Sequence, residues 1–280
     1  MDLLIHIKCL LNAKIDSLID MSKDIEIQKY EIIVIQSLKE KDIETGLSLY
    51  NEILKYKDVV KKDIVTKYFS ISTRKEFEYL LMNIEQEIPL GHILTLHLET
   101  HGCDEGIGLS SGDLISWRDF FSLIRPINIK TSNLLMIVLS MCNGAAISSL
   151  VEPTKRCPYR AFLGFEQEMK AGDLEEAFHA FYEVYDNMLD IDKALEHMNG
   201  VLPIENKPWL YTAEQIFNKV LNPDTNPESF SKVINVNYNG YNNLGEPVSK
   251  EQFEEDVRQY FIKTANEYRA YYNFKDLKDM

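Results

Sequence analysis

The strongest constraint on the fold is an alternation: short apolar runs rich in β-branched residues, each followed by an amphipathic stretch. YEIIVIQSL, from Tyr30, is one such run, and its continuous apolar character suits a strand buried on both faces. EKDIETGLSLYNEILKYKD follows, with Ile43, Leu47, Leu49, Ile53 and Leu54 spaced along one helix face. IVTKYFSIS reads as the next strand and TRKEFEYLLMNIEQEI as its helix, where Thr73 and Glu76 have capping-box spacing. HILTLHLET, LLMIVLSMC and YRAFLGFEQ continue the strand series. Helices are predicted over LISWRDFFSLI (capped by Ser116), from GAAISSLV, and over LEEAFHAFYEVYDNML. Strands alternating with helices predict an α/β fold with a mainly parallel central sheet flanked by helices, because parallel neighbours need long crossovers.

The alternation fades after Asp190. DIDKALEHM and YTAEQIFNKVL look helical, NPDTNPES is a turn-rich break and SKVINVNY reads as a strand. The tail from Ser249 is one long amphipathic helix whose aromatic stripe is assigned to the core. The expected organisation is an N-terminal helical segment over 1–29, an α/β core over 30–190, and a mostly helical completion or lid over 191–280.

Thirty basic against 44 acidic residues leave a net charge of −14, which opposes attraction to a phosphate backbone. The densest basic clusters, Lys55-Tyr56-Lys57 and Lys61-Lys62, are short and lie among acids, so no nucleic-acid partner is expected. No run reaches the ~20 apolar residues that cross a bilayer, and MDLLIHIKCLLNAK lacks a small-residue cleavage site. The expectation is a cytoplasmic protein with no membrane partner. Cys9, Cys103, Cys142 and Cys157 form no C-x-x-C pair, and a reducing compartment leaves each of them free.

His97-Leu98-Glu99-Thr100-His101 invites a metal reading. A zinc-protease helix needs H-E-x-x-H, whereas this is H-x-E-x-H in a strand. A zinc deaminase needs P-C-x-x-C, and Cys142 and Cys157 are 15 residues apart. A zinc site from His101, Cys103, Cys142 and Cys157 stays open as a lesser alternative. Gly106-x-Gly108 lacks the dinucleotide fingerprint, and Ser110-Ser111 lie in no nucleophile elbow. No cofactor is expected.

Reacting groups in such sheets gather beyond the carboxyl ends of the strands. Two strand ends here carry reactive side chains: His101-Gly102 after HILTLHLET, and Cys142-Asn143-Gly144 after LLMIVLSM. An imidazole beside a thiol supplies the base that turns cysteine into a nucleophile. Gly102 permits close approach of the backbone, and a helix starting at Gly144-Ala145-Ala146 would lower the thiol pKa through its dipole. A single Cys or His in an apolar strand is more often packing than chemistry; two at strand ends, each followed by glycine within two positions, shift that balance.

The succession LTLHLETHG, GIGLSSGDLISWRDF and LLMIVLSMCNGA resembles the caspase-like cysteine peptidases, the clan of caspases, separase and the bacterial CHAT-domain proteases, over about residues 30–185. The resemblance implies a three-layer sandwich and a cysteine endopeptidase acting on a protein or peptide substrate. Cys142 would be the nucleophile and His101 the general acid and base. The backbone N–H groups of Gly102 and Cys142 would form the oxyanion hole. His97 would be the family's earlier histidine, in a supporting position. Relatives that cut after Arg or Lys often hold an acid just before the nucleophile, where this chain has Ser140 and Met141. Glu166, after YRAFLGF, is the remaining acid for a specificity pocket, and a solvated loop glutamate is its simpler reading. The same likeness implies a role in bacterial defence or cell death and leaves room for a regulatory protein partner, docked through the terminal segments. A caspase-like scaffold that binds a partner without cleaving it is the alternative.

Overall fold

Five parallel strands form the centre of the molecule. The computed structural model describes residues 29–186, 190–203, 205–225, 227–241 and 245–279, so the helix expected over 1–29 and Cys9 fall outside the described residues. β1 (Tyr30–Ser37) leads through α1 (Thr45–Leu49), a π-helical turn (Tyr50–Leu54) and α2 (Lys55–Val60), one continuous helical run, into β2 (Ile64–Ser70). α3 (Arg74–Glu87) returns the chain to β3 (Ile93–Cys103). β4 (Gly106–Gly108) and β5 (Leu114–Ser116) form a small hairpin before α4 (Trp117–Lys130). β6 (Leu135–Ser140) and β7 (Ala161–Gly164) complete the parallel set. α5 (Ala171–Val184) and α6 (Ile191–Val201) then lead to β8 (Trp209–Thr212). The order is β2-β1-β3-β6-β7-β8, with β8 antiparallel to β7.

The strands alternate their side chains between two apolar layers. Ile33, Ile35, Leu96, Leu98, Ile137 and Leu139 pack on one side, with Phe77 of α3 and Phe120 and Ile124 of α4. Ile32, Val34, Met136 and Val138 pack on the other, with Phe178, Phe181 and Tyr182 of α5. Two covered faces explain why these strands read as continuous apolar runs. The architecture is therefore α/β, three layers deep, with a helical C-terminal segment. Thr73 and Ser116 cap α3 and α4, and the Thr73–Glu76 capping box is formed.

Four local expectations are corrected. GAAISSLV forms only a 3₁₀ turn (Gly144–Ser149), entered through Asn143 in the left-handed region at φ 54°; the thiol therefore has no α-helix dipole behind it. SKVINVNY is not a strand but part of α8 (Pro227–Asn237), with Ile234 buried and Val236 exposed. YTAEQIFNKVL is not helical from its first residue: Tyr211 and Thr212 belong to β8, and α7 (Ala213–Leu221) starts behind them. In the last helix, α9 (Lys250–Tyr272), only Ala265 and Tyr272 are buried, while Tyr260 and Tyr271 face solvent. Its aromatic stripe is only partly core.

Candidate active site

The chain leaves β1 towards one face of the sheet and β3 towards the other, so the crevice at their carboxyl ends is the switch point where such sheets bind ligands. β3 supplies its central feature. Its parallel ladder with β6 runs from Leu94 opposite Leu135 to Glu99 opposite Ser140. The strand does not stop at His101-Gly102, as the sequence suggested. It runs on through Cys103 and pairs antiparallel with β4, setting His101 opposite Gly108 and Gly102 opposite Ile107. His101 therefore sits where β3 leaves one ladder for another.

Past the Glu99–Ser140 pair the two segments stay in contact through Gly102 and Cys142. The approach is close: a Cβ on Gly102 would lie 2.1 Å from the Cys142 carbonyl oxygen and 2.8 Å from Met141 Cγ. Only glycine fits there. The two residues whose amides are expected to form an oxyanion hole, Gly102 and Cys142, thus lie on two segments in close approach.

Along the α5 face of β3, every second residue is polar: Thr95, His97, Glu99, then His101. Tyr30 and Thr95 share a hydrogen bond of 2.6 Å. His97 has Tyr182 at 3.2 Å from Nδ1 and Glu99 at 2.9 Å from Nε2. A carboxylate only accepts, so Nε2 of His97 carries the proton and Tyr182 donates to Nδ1. Phe178 and Tyr182 pack edge-on against the His97 ring. The remaining Glu99 oxygen accepts from Thr45 Oγ1 at 2.8 Å. His97 is thereby fixed in a closed interior network.

His101 is held by a residue that the sequence reading did not single out. Asp42, in the loop between β1 and α1, lies with Oδ2 2.9 Å from His101 Nε2. The same oxygen accepts the Lys39 backbone N–H at 2.8 Å. These two bonds, the Lys39 amide first, hold the Asp42 carboxyl below the usual carboxylate range. With Nε2 donating to Asp42, Nδ1 of His101 is the nitrogen free to accept a proton. No helical or strand periodicity marks Asp42, and His101 is 59 residues away.

Cys142 is half-buried and free. Among the described residues no hydrogen bond joins it to His101. The Met169 N–H instead points at its sulfur at 3.4 Å, and the thiol has the Met169 carbonyl at 3.7 Å. Met169 belongs to a strap after β7 that runs antiparallel along the nucleophile segment. Ala145 N–H donates to the Phe165 carbonyl at 2.9 Å and Asn143 N–H to the Gln167 carbonyl at 3.3 Å. Gln167 Nε2 ties the strap to Asn206 Oδ1 at 3.2 Å. Glu166 is exposed on this strap, a short way along the chain from the thiol's cover.

The other cysteines stand apart chemically. Cys157 is fully buried against Asn128 and Asn133, and burial pushes its thiol up to about 12. Cys103 faces Glu105 at 3.2 Å. Among the described residues no three His, Cys, Asp or Glu side chains are grouped to hold a metal ion, nor is any helix long and apolar enough to cross a membrane. No family model matches this chain, and no curated protein sequence does either.

Proposed function

We propose that this protein is a cysteine endopeptidase of the caspase-like type, with Cys142 as nucleophile, His101 as general base and acid, and Asp42 as the group that orients His101. The observation that carries this reading is that Asp42 holds His101 where β3 leaves its ladder with β6, beside Gly102, which packs against the Cys142 backbone. The three-layer architecture supports the resemblance already drawn from the sequence.

Nδ1 of His101 takes the thiol proton, and the Cys142 sulfur attacks the substrate carbonyl carbon. The resulting oxyanion is received by the Gly102 and Cys142 amides. His101 returns the proton to the leaving amine, which departs with one half of the peptide, and water then hydrolyses the thioester. Asp42 stays ionised throughout and stabilises the imidazolium that forms after the first transfer. The Met169 strap covers the thiol in this structure, so productive binding displaces it. With Ser140 and Met141 before the nucleophile, and Glu166 exposed on the strap, an apolar or small P1 residue fits as well as a basic one.

The test is a peptide-library cleavage profile of the full chain beside Cys142→Ala: cleavage by the first alone supports the reading and gives the P1 preference. The engagement of Cys142 by Met169 rather than His101 favours a second reading, a scaffold that binds a protein partner without cleaving it. Under that reading a thiol-directed peptide electrophile labels Cys142 no faster than Cys103, and His101→Ala changes nothing.

A further inference from the structure

We propose that Glu99 and Thr45 are positioning residues, whose contact fixes the Asp42 loop against His101. This rests on the dyad reading above and extends it to the residues that hold the base in place.

A buried carboxylate is costly unless it has a task or a full set of partners. Glu99 is 3% exposed and its partner His97 0%. A leucine would fill that space on the face of β3 without any such cost. The carboxylate does what leucine cannot, by accepting from His97 Nε2 with one oxygen and from Thr45 Oγ1 with the other. Thr45 is the first residue of α1, and Asp42 lies three residues earlier. The helix has no side-chain cap of its own at Glu44. Its start is held by the sheet instead: Leu47 N–H donates to Gln36 Oε1 at 3.0 Å, and Thr45 donates to Glu99. Gly46 makes the fit possible. A Cβ there would meet Glu99 Cγ at 2.8 Å and Gln36 Oε1 at 2.9 Å.

The loop itself is short and internally bonded. Asp42 N–H donates to the Lys39 carbonyl at 2.9 Å, and Thr45 N–H to the Ile43 carbonyl at 2.8 Å. Little slack separates the clamp from the carboxylate that meets His101. Moving the first turn of α1 therefore moves Asp42, and the imidazole loses the partner that sets its tautomer. Glu99 touches no reacting atom; it acts through Thr45 and the loop.

The experiment measures iodoacetamide alkylation of Cys142 in the full chain, by peptide mass spectrometry, from about pH 5 to about pH 9, where imidazole and thiol titrate. Cys103 serves as internal reference, and protection of Cys157 reports that the fold is intact. Thr45→Val, which keeps shape and loses the donor, is expected to slow Cys142 labelling near neutral pH by roughly tenfold, the factor that one hydrogen bond's worth of positioning represents. Its pH profile moves towards that of His101→Ala. Thr45→Ser, which keeps the hydroxyl, restores the profile. Gly46→Ala, which crowds Glu99 but removes no hydrogen-bonding group, slows labelling in the same direction. If Thr45→Val and Gly46→Ala keep the wild-type profile while His101→Ala loses it, the clamp is wrong and the dyad stands. If His101→Ala also keeps the wild-type profile, clamp and dyad fall together.

Discussion

β3 supplies the histidine of a histidine–carboxylate pair twice. His97 meets Glu99, and His101 meets Asp42, each through Nε2 to a carboxylate oxygen at 2.9 Å. The settings differ completely: the first pair is 0% and 3% exposed, the second 53% and 31%. Inside, the imidazole has every neighbour it will ever have, and both ring nitrogens are occupied. At the strand end one nitrogen is committed and the other remains available. Identical local geometry is thus architecture in one place and candidate chemistry four residues later, and solvent access decides which.

The largest effect expected from breaking this symmetry is on activity. His101→Ala should lower peptide cleavage by about 10²- to 10⁴-fold, the range for loss of a general base, while its stability stays within about 0.5 kcal/mol of wild type, as for surface changes in general. His97→Ala should do the reverse. Leaving one oxygen of the buried Glu99 carboxyl without its donor costs about 1–3 kcal/mol, read as a shift of the urea midpoint, so a stable His97→Ala protein would break the comparison. Next in size is the contrast between thiols. Cys157, buried and pushed up to about 12, should stay unmodified by iodoacetamide in the native protein at neutral pH, and react only after unfolding. The smallest effect concerns Asp42. Its folded pKa lies below the unfolded value of about 3.9, so its contribution to stability is present above that value and lost as pH falls through the lower folded one. The difference in unfolding free energy between wild type and Asp42→Ala should shrink as pH falls through the folded Asp42 value. A difference that persists in strong acid would assign Asp42 a role unrelated to its charge.

The central strands and helices were legible because apolar runs and 3.6-residue spacing are strong local signals. β8 was not: WLYT is four residues long and only half-buried throughout. α8 misled in the opposite way, since SKVINVNY has strand-like residue types but is held through Phe230 and Ile234, one helical turn apart. His101 and Cys142 could be singled out because each follows an apolar, strand-like run and has a glycine within two positions. Asp42 could not, since its value lies in a tertiary contact, and the strap over Cys142 acts through the Met169 backbone, which no side-chain pattern encodes.

The switch in ladders at the end of β3 has a consequence in time. Asp42, His101 and Cys142 arrive on three separate segments of the chain, and the thiol follows the imidazole by 41 residues. Parallel pairing of distant segments is a late and slow event in folding. Until the β3–β6 ladder closes, Cys142 is an ordinary cysteine on an unfinished polypeptide. A chain whose β3–β6 ladder has not yet formed therefore carries every proposed reactive group and no assembled site.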